Sequence, residues 1–400
     1  MSNPICTNFI DEYGKDLGST LVSKEYMLEN YSFLLSQDKM PGLWMVGANN
    51  YGALGDNTNI NKSSPVLMFG NNWKSIAASD NYSAGIKTDG TLWNWGCNLR
   101  SQVSGGGSSN EVSTPVQTTS GGTNWKSVAV GGPTVGTTAA IKTDGTLWVW
   151  GWNEFGADGP TPTQLFVGTC DWSKLAVGYR IIYSIKTDGT LWGWGLNSFG
   201  QLGSTNTTSL QSSPMQTTLG GNNWKSINVS SGSSPSKSYA IKNDGTLWGW
   251  GYNNSNGDLG IGCTTATYIS IPTQICVGST NWRQVSSGCY HTLAVKTDGT
   301  LWGWGSNTCY AIPLTKCTPF QISSGTNNWR QASAGSTGSS AAIKTDGTLW
   351  VWGNNTYGQL GINNTTTITT PTQSLIGGYT WKEVSVGSCH MMSISELCGI

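Results

Sequence analysis

Short runs of alternating apolar and polar residues, broken by Gly, Asn and Asp, extend along almost the whole chain. The most regular copy is Lys186-Thr187-Asp188-Gly189-Thr190-Leu191-Trp192-Gly193-Trp194-Gly195. Ala-Ile-Lys stands at the head of many such units, as at Ala140-Ile141-Lys142 and Ala342-Ile343-Lys344. This pattern predicts a strand, an Asp-Gly hairpin turn, and Leu-Trp-x-Trp-Gly as the returning strand. Trp192 and Trp194 are two residues apart, which puts both rings on one face of that strand. A hairpin of this kind must be pressed against another sheet.

The Leu-Trp element recurs from Leu43, Leu92, Leu147, Leu191, Leu247, Leu301 and Leu349, at intervals of 49, 55, 44, 56, 54 and 48 residues. Self-similarity near fifty residues signals a repeat array, in which one unit cannot bury its own apolar face. Each unit divides into four strands. After Leu-Trp-x-Trp comes a long Gly/Asn loop, then a short run around a proline, such as Ser64-Pro65-Val66-Leu67 or Thr114-Pro115-Val116-Gln117. Proline lacks a donor N–H, so this run belongs at the sheet edge. A strand of small residues follows, opening at Trp73, Trp125, Trp172, Trp224, Trp282, Trp329 and Trp381, and suited to crowding round a central axis. The strand ending in Ile-Lys or its variants leads back to the turn.

The tryptophans fix the assignment. Trp44, Trp93, Trp148, Trp192, Trp248, Trp302 and Trp350 hold the Leu-Trp position, and Trp95, Trp150, Trp194, Trp250, Trp304 and Trp352 the second position, where the first unit has Val46. With the seven that open the small-residue strand, only Trp152 remains. Aromatic clusters can bind sugars, but residues in register this often are core between sheets. The first unit lacks its two leading strands, and these occur only at the other end, as 381–386 and 390–394. The ends therefore complete one sheet together and close a ring. The expectation is an all-β, seven-bladed β-propeller over 43–400, with four-stranded blades and one blade shared by both ends. A leader over 1–42 precedes it.

That leader is not part of the repeat. Ser23 is a good helix N-cap, and Val22 and Met27 are placed as a hydrophobic staple. A short helix over about 24–35 would carry Tyr26, Met27, Tyr31, Phe33 and Leu34, which with Val22 form a candidate docking surface. It serves as a lid on the propeller or as an anchor onto something larger.

Composition narrows the partners. Charged residues are only 10%, and 21 basic residues balance 21 acidic ones. Without a basic stripe, nucleic acid is not an expected partner. The lysines before the Asp-Gly turns read as solvated strand rims. The ten cysteines include no C-x-x-C pair, so no zinc or redox motif is expected. Cys309 and Cys317 could bridge one loop, as could Cys263 and Cys276, but most thiols are expected to be reduced. There is no signal-peptide pattern and no apolar run of membrane-spanning length.

The unit Thr-Asp-Gly-Thr-Leu-Trp-x-Trp-Gly, followed by Asn-Ser-Phe-Gly-Gln-Leu-Gly at 197–203, resembles the repeat of the regulator of chromosome condensation family in its bacterial and viral form. The resemblance covers about 43–396 and implies a seven-bladed propeller. Gly-Gln-Leu-Gly recurs at 358–361 and, modified, at 52–55 and 257–260; the loops after Leu92 and Leu301 depart from it. The leader around Asp16–Tyr26, joined directly to Leu43-Trp44, resembles leaders on propeller proteins of marine bacteriophages.

No catalytic constellation is legible. His291 and His390, the only histidines, fall at one register position, which Tyr82, Thr137, Ile181, Lys237 and Ser339 hold in other units. Asp89, Asp144, Asp188, Asp244, Asp298 and Asp346 are turn formers on separate units, not an acid–base pair. The expected function is a non-enzymatic component of a virus particle, needing no cofactor or metal and made in the host cytoplasm. Residues 1–42 would contact other virion proteins, while the loops meet a host protein or glycan. Homo-oligomers are compatible with the pattern. A carbohydrate-binding adhesin using Trp152 and Tyr252 is the alternative, and an exchange-factor-like regulator the second.

Overall fold

The computed structural model describes residues 42–397 apart from loop positions 69–71, 106, 108, 134–135, 153–158, 206–207, 231, 233–235, 255–256, 265, 308–310, 313–314, 323–325 and 375–378. The leader helix and its docking residues Val22, Tyr26, Met27, Tyr31, Phe33 and Leu34 lie outside the described residues.

The described residues form seven four-stranded antiparallel sheets. In blade 3, strands Trp172–Gly178, Ile181–Lys186, Leu191–Leu196 and Leu210–Gln216 run from axis to rim in chain order. Blades 1 to 7 are numbered here by inner strands opening at Trp73, Trp125, Trp172, Trp224, Trp282, Trp329 and, within Tyr379–Val386, Trp381. Blade 7 joins the two ends of the chain, with Leu43 paired to Ile394, Met45 to Met392 and Gly47 to His390. The proline runs are the outer strands in every blade, as a missing N–H requires. Each outer pairing also slips at the proline; in blade 3, Gly193 faces Met215 and Gly195 faces Gln211, leaving Pro214 in the break.

The hairpin turn is the three-residue form. Gly189 N donates to Lys186 O (3.0 Å) and Lys186 N to Thr190 O (3.0 Å). Only the glycine of the Asp-Gly pair has positive φ, at 83°. This is a type I turn closed by a left-handed glycine rather than the two-residue form, which needs positive φ at both positions.

The core lies between blades, not within them. The Trp face of each blade meets the aliphatic face of the preceding one. Trp224, Trp248 and Trp250 of blade 4 pack on Tyr183, Ile185 and Leu191 of blade 3. Trp282, Trp302 and Trp304 of blade 5 pack on Tyr239, Ile241 and Leu247 of blade 4. At the joined blade, Val46, Trp44 and Trp381 meet Ile343, Leu349 and Val351. Val46 thus fills the place of a second-position Trp with less volume.

The inner strands surround a channel of about 190 Å³. Its lining differs by side: Ala77, Ala129 and Ala176 in blades 1–3, but Asn228, Ser286, Ser333 and Ser385 in blades 4–7. Splayed inner strands cannot pair by backbone alone, and the polar side supplies bridges. Ser287 N donates to Asn228 Oδ1 (2.9 Å), Ala334 N to Ser286 Oγ (3.0 Å), Val386 N to Ser333 Oγ (2.9 Å) and Ala78 N to Ser385 Oγ (3.0 Å).

Candidate functional site

Strand direction gives the disc two unlike faces. One carries the Asp-Gly turns and the links between blades. The other carries the inner hairpin loops and the long loops that follow Leu-Trp-x-Trp-Gly.

The turn face is chemically repetitive. In blade 3, Trp192 Nε1 donates to Thr190 Oγ1 (2.8 Å), which donates to Asp188 Oδ1 (2.7 Å). Thr91, Thr146, Thr246, Thr300 and Thr348 do the same in five other blades. These bonds hold the Asp188 carboxyl below the usual range, the Thr190 hydroxyl contributing most. The lysine before each turn is more than a solvated rim. Lys344 Nζ lies 3.9 Å from the Trp350 ring centre and 4.9 Å from that of Trp329, and five other lysines are placed likewise. Such contacts anchor the cation between two indoles. Blade 7 is the exception: Ser395 holds the lysine position opposite Trp381, and its Oγ accepts from Trp44 Nε1 (3.0 Å).

On the loop face the repeat supplies a rigid base. Leu202 N donates to Asn197 Oδ1 (3.0 Å), and Asn49, Asn253 and Asn355 hold their loops in the same way. The first glycine of Gly-Gln-Leu-Gly marks a close approach. A Cβ on Gly200, whose φ is 72° in its Gly52 counterpart and 65° here, would come within 2.6 Å of Ser270 Cα on the next blade. The loop after Leu92 keeps this shape despite its different sequence. Ser101 takes the glycine's positive φ (59°), Val103 N donates to Asn98 Oδ1 (3.0 Å), and Trp150 Nε1 donates to Gln102 O (3.1 Å). Its expected departure is therefore confined to side chains. After Leu301, buried Ile312 and Ala311 take the Leu and Gln places, Ala311 O accepting from Trp352 Nε1 (2.8 Å).

The cysteine expectation is corrected here. Cys263 is bonded to Cys317, with Cα atoms 5.1 Å apart. Cys276 is a free, exposed thiol, and Cys309 lies outside the described residues. The long loop of blade 4 rests on the outer strand of blade 5, so the partner is 54 residues away rather than nearby in sequence.

The register position shared by the histidines is confirmed, since Tyr82, Thr137, Ile181, Lys237, His291, Ser339 and His390 each open a second strand. Several of them clamp the next blade. His291 Nε2 pairs with Ser340 Oγ (2.9 Å) and His390 Nε2 with Ser83 Oγ (2.9 Å). Tyr82 Oη donates to Thr137 O (2.7 Å), and Lys237 Nζ to Cys289 O (2.8 Å). Burial lowers the histidine pKa values to about 3 and about 4, so both rings are neutral structural groups. Lys237 and Asp258 are a buried pair at 3.8 Å; burial drives each toward its neutral form, and the partner's charge opposes this. Asp80 sits over the axis, pushed up to about 6 by burial against hydrogen bonds from Ser336 and Ser388.

Every second-position Trp is fully buried, whereas the Leu-Trp residues are half-buried, all but Trp44 of blade 7 beneath a lysine. Trp152, the one outside the scheme, lies on the loop face with the Arg180 guanidinium 4.7 Å from its ring centre.

The profile of the regulator of chromosome condensation (RCC1) repeat matches residues 42–86, 188–236, 244–295 and 346–394, and a second profile of that repeat matches 172–201, 282–311 and 329–359. The chain belongs to the RCC1 repeat family. Its sequence is 25% identical over 287 residues to the ultraviolet-B receptor UVR8 of Arabidopsis thaliana, covering 66% of this chain and 60% of that protein. The mitochondrial RCC1 domain-containing protein RUG3 of the same plant is 31% identical over 77 residues, 18% of this chain and 17% of its own. Prp20p of Saccharomyces cerevisiae superposes with a TM-score of 0.77 at 18% identity, over 90% of this chain and 92% of that one. Human WBSCR16 gives 0.74 at 19%, over 88% and 99%. These structural likenesses establish the fold.

Within the RCC1 repeat, the half-buried lysines and the clamps between blades are what sequence reasoning missed. The lysine's invariant place one residue before Thr-Asp-Gly or Asn-Asp-Gly was the available signal. For the clamps the only signal was the register position shared by His291 and His390, which make the same contact with a serine, while Tyr82 and Lys237 make different ones.

Proposed function

We propose that this RCC1-repeat propeller is a non-enzymatic interaction module whose loop face receives a protein partner. The observation that carries this reading is the division between the faces. The repeated Asp, Thr, Lys and Trp side chains bond to one another on the turn face, whereas the loop face presents different residues in each blade. A rigid scaffold with variable loops suits recognition. Four buried titratable groups of the loop face support it too, since His291, His390 and the Lys237–Asp258 pair are engaged in holding blades together.

The more specific proposal is a component of a virus particle, attached through residues 1–42. It rests on the likeness of the leader to those of bacteriophage propeller proteins. Mass spectrometry of purified particles should find the chain among the structural proteins. Deleting residues 1–36 should leave a folded propeller that no longer co-purifies; retained incorporation overturns the docking role. A second reading is an intracellular regulator, favoured by the fold likeness to Prp20p, a protein described by its binding to Gsp1p and histones. A GTPase captured by the purified chain would support it, and failure of a GTPase panel to bind would count against it.

A further inference from the structure

The loop face is most unusual where blade 3 meets blade 4. The long loop of blade 3, residues 196–210, contains no charged residue, and that of blade 4, residues 252–268, contains only Asp258. Asp258 is 1% exposed and faces Lys237, so no charge reaches solvent from either loop. Equivalent places elsewhere are charged: Glu111 and the Asp56–Lys62 pair lie where the blade 7 loop meets blade 1. The cross-strand pair that opens this loop is Cys97–Glu111 in blade 1 but Tyr252–Tyr268 in blade 4.

Aromatic rings gather at this uncharged junction. Phe199 of blade 3 packs edge-on against Tyr252 of blade 4, with centroids 6.0 Å apart. Tyr268 stands opposite Tyr252 and is 51% exposed. Exposed hydroxyls flank the rings, with Ser198 and Ser209 on one side and Thr267 on the other. The platform is held in place from both blades. Asn197 N donates to Ser209 O (2.9 Å), Asn253 N to Thr267 O (2.9 Å), and Gly200 lies against Ser270 of blade 4.

One exposed ring beside two half-buried ones, with hydroxyls and without charge, matches one ligand chemistry. A pyranose offers an apolar C–H face to a ring and a rim of neutral hydroxyls to Ser and Thr, and it displays no charge to be paired. A protein interface of ordinary size would have a polar, partly charged rim, and an anionic polymer would need cations. We infer that the Phe199–Tyr252–Tyr268 platform is a binding site for a neutral glycan. The proposal goes beyond a protein partner and does not require one, nor does it depend on the leader.

The test uses the full-length chain on an array of neutral oligosaccharides (gluco-, manno-, galacto- and N-acetylglucosamine oligomers) beside sulfated and sialylated ones, with affinities of bound members measured by calorimetry. The expected result is binding to a neutral member, unchanged between about 50 mM and about 200 mM salt. Tyr268→Ala should weaken it by roughly tenfold or more, about one pairwise aromatic contact, with the melting temperature unchanged. Tyr357→Ala, at an exposed ring on the loop of blade 6 (40% exposed), should leave affinity intact. Binding to no neutral member, binding only to anionic ones, or equal loss in both variants overturns the proposal. Particle incorporation and GTPase capture by Tyr268→Ala are read separately, so failure of the glycan site leaves the protein-contact reading standing.

Discussion

The two faces of the disc contrast in how they use the same repeat. On the turn face, six blades show the same Asp, Thr, Lys and Trp contacts, with Lys–ring distances near 4 to 5 Å throughout. On the loop face, the residue ahead of the tight turn is Arg100 in one blade, Phe199 in another and Tyr357 in a third, none of them buried. Repetition solves the packing problem common to every blade, namely how to seat an indole stripe on its neighbour. What is not repeated is available for recognition. Blade 7 sharpens the point: there Ser395 stands in for the lysine.

The largest expected effect is on the core beneath both faces. Trp250→Ala should destabilise by about 3–5 kcal/mol, measured by denaturant unfolding, because the ring is fully buried between blades. Tyr268→Ala on the loop face should change stability by less than about 0.5 kcal/mol. Comparable losses would erase the distinction between scaffold and surface.

Next in size is the Cys263–Cys317 bridge. Closing a separation of 54 residues restricts the unfolded chain by about 4 kcal/mol in the chain-entropy picture. Cys263→Ser and Cys317→Ser should each lower the melting temperature, and reductant should then have no further effect; Cys276→Ser should change nothing.

Acid acts in opposite senses on two sets of buried groups, the histidines and the carboxyls of Asp80 and, in the inner strand of blade 7, Glu383. His291 and His390 have folded pKa values below the ordinary 6.5, so their contribution is complete above pH 6.5 and is lost as pH falls toward about 4 and about 3. Between pH 6.5 and about 5 this amounts to roughly 2 kcal/mol for each ring. Burial raises Asp80 to about 6 and Glu383 to about 7, so the native state takes up those protons more readily, and both contribute stability as pH falls. The wild type should therefore vary little over this range. Asp80→Asn with Glu383→Gln should be acid-labile, whereas His291→Gln with His390→Gln should gain stability on acidification relative to wild type. Denaturant midpoints at the two pH values measure both.

The smallest effect belongs to a single turn. Lys344→Met should cost about 0.5–1 kcal/mol through loss of the cation between Trp329 and Trp350. The loss should be about equal for Lys142→Met, whose cation sits 4.8 Å and 4.1 Å from its two ring centres, if the turn face is uniform; a much larger effect at one blade would show that the face is specialised after all.

Much of this was legible in the sequence because it was said seven times. The blade count, the closure through Leu43 and Ile394, the proline edges and the Trp roles all follow from register. Contacts made once were not legible. Cys263 finds Cys317 only after one blade's loop lies on the next blade's strand. Ser101 takes a glycine's backbone angle without a glycine, and Phe199 meets Tyr252 across a blade junction that no local pattern announces.

The central claim is that recognition belongs to the loop face and the turn face is scaffold. Hydroxyl-radical footprinting of the full-length chain, alone and in the complex recovered from its source, tests this directly. Protection should concentrate on loop-face residues such as Trp152, Phe199, Tyr252, Tyr268 and Tyr290. Protection centred on the turns at Asp89, Asp144, Asp188, Asp244, Asp298 and Asp346, with the loop-face rings unchanged, would contradict it.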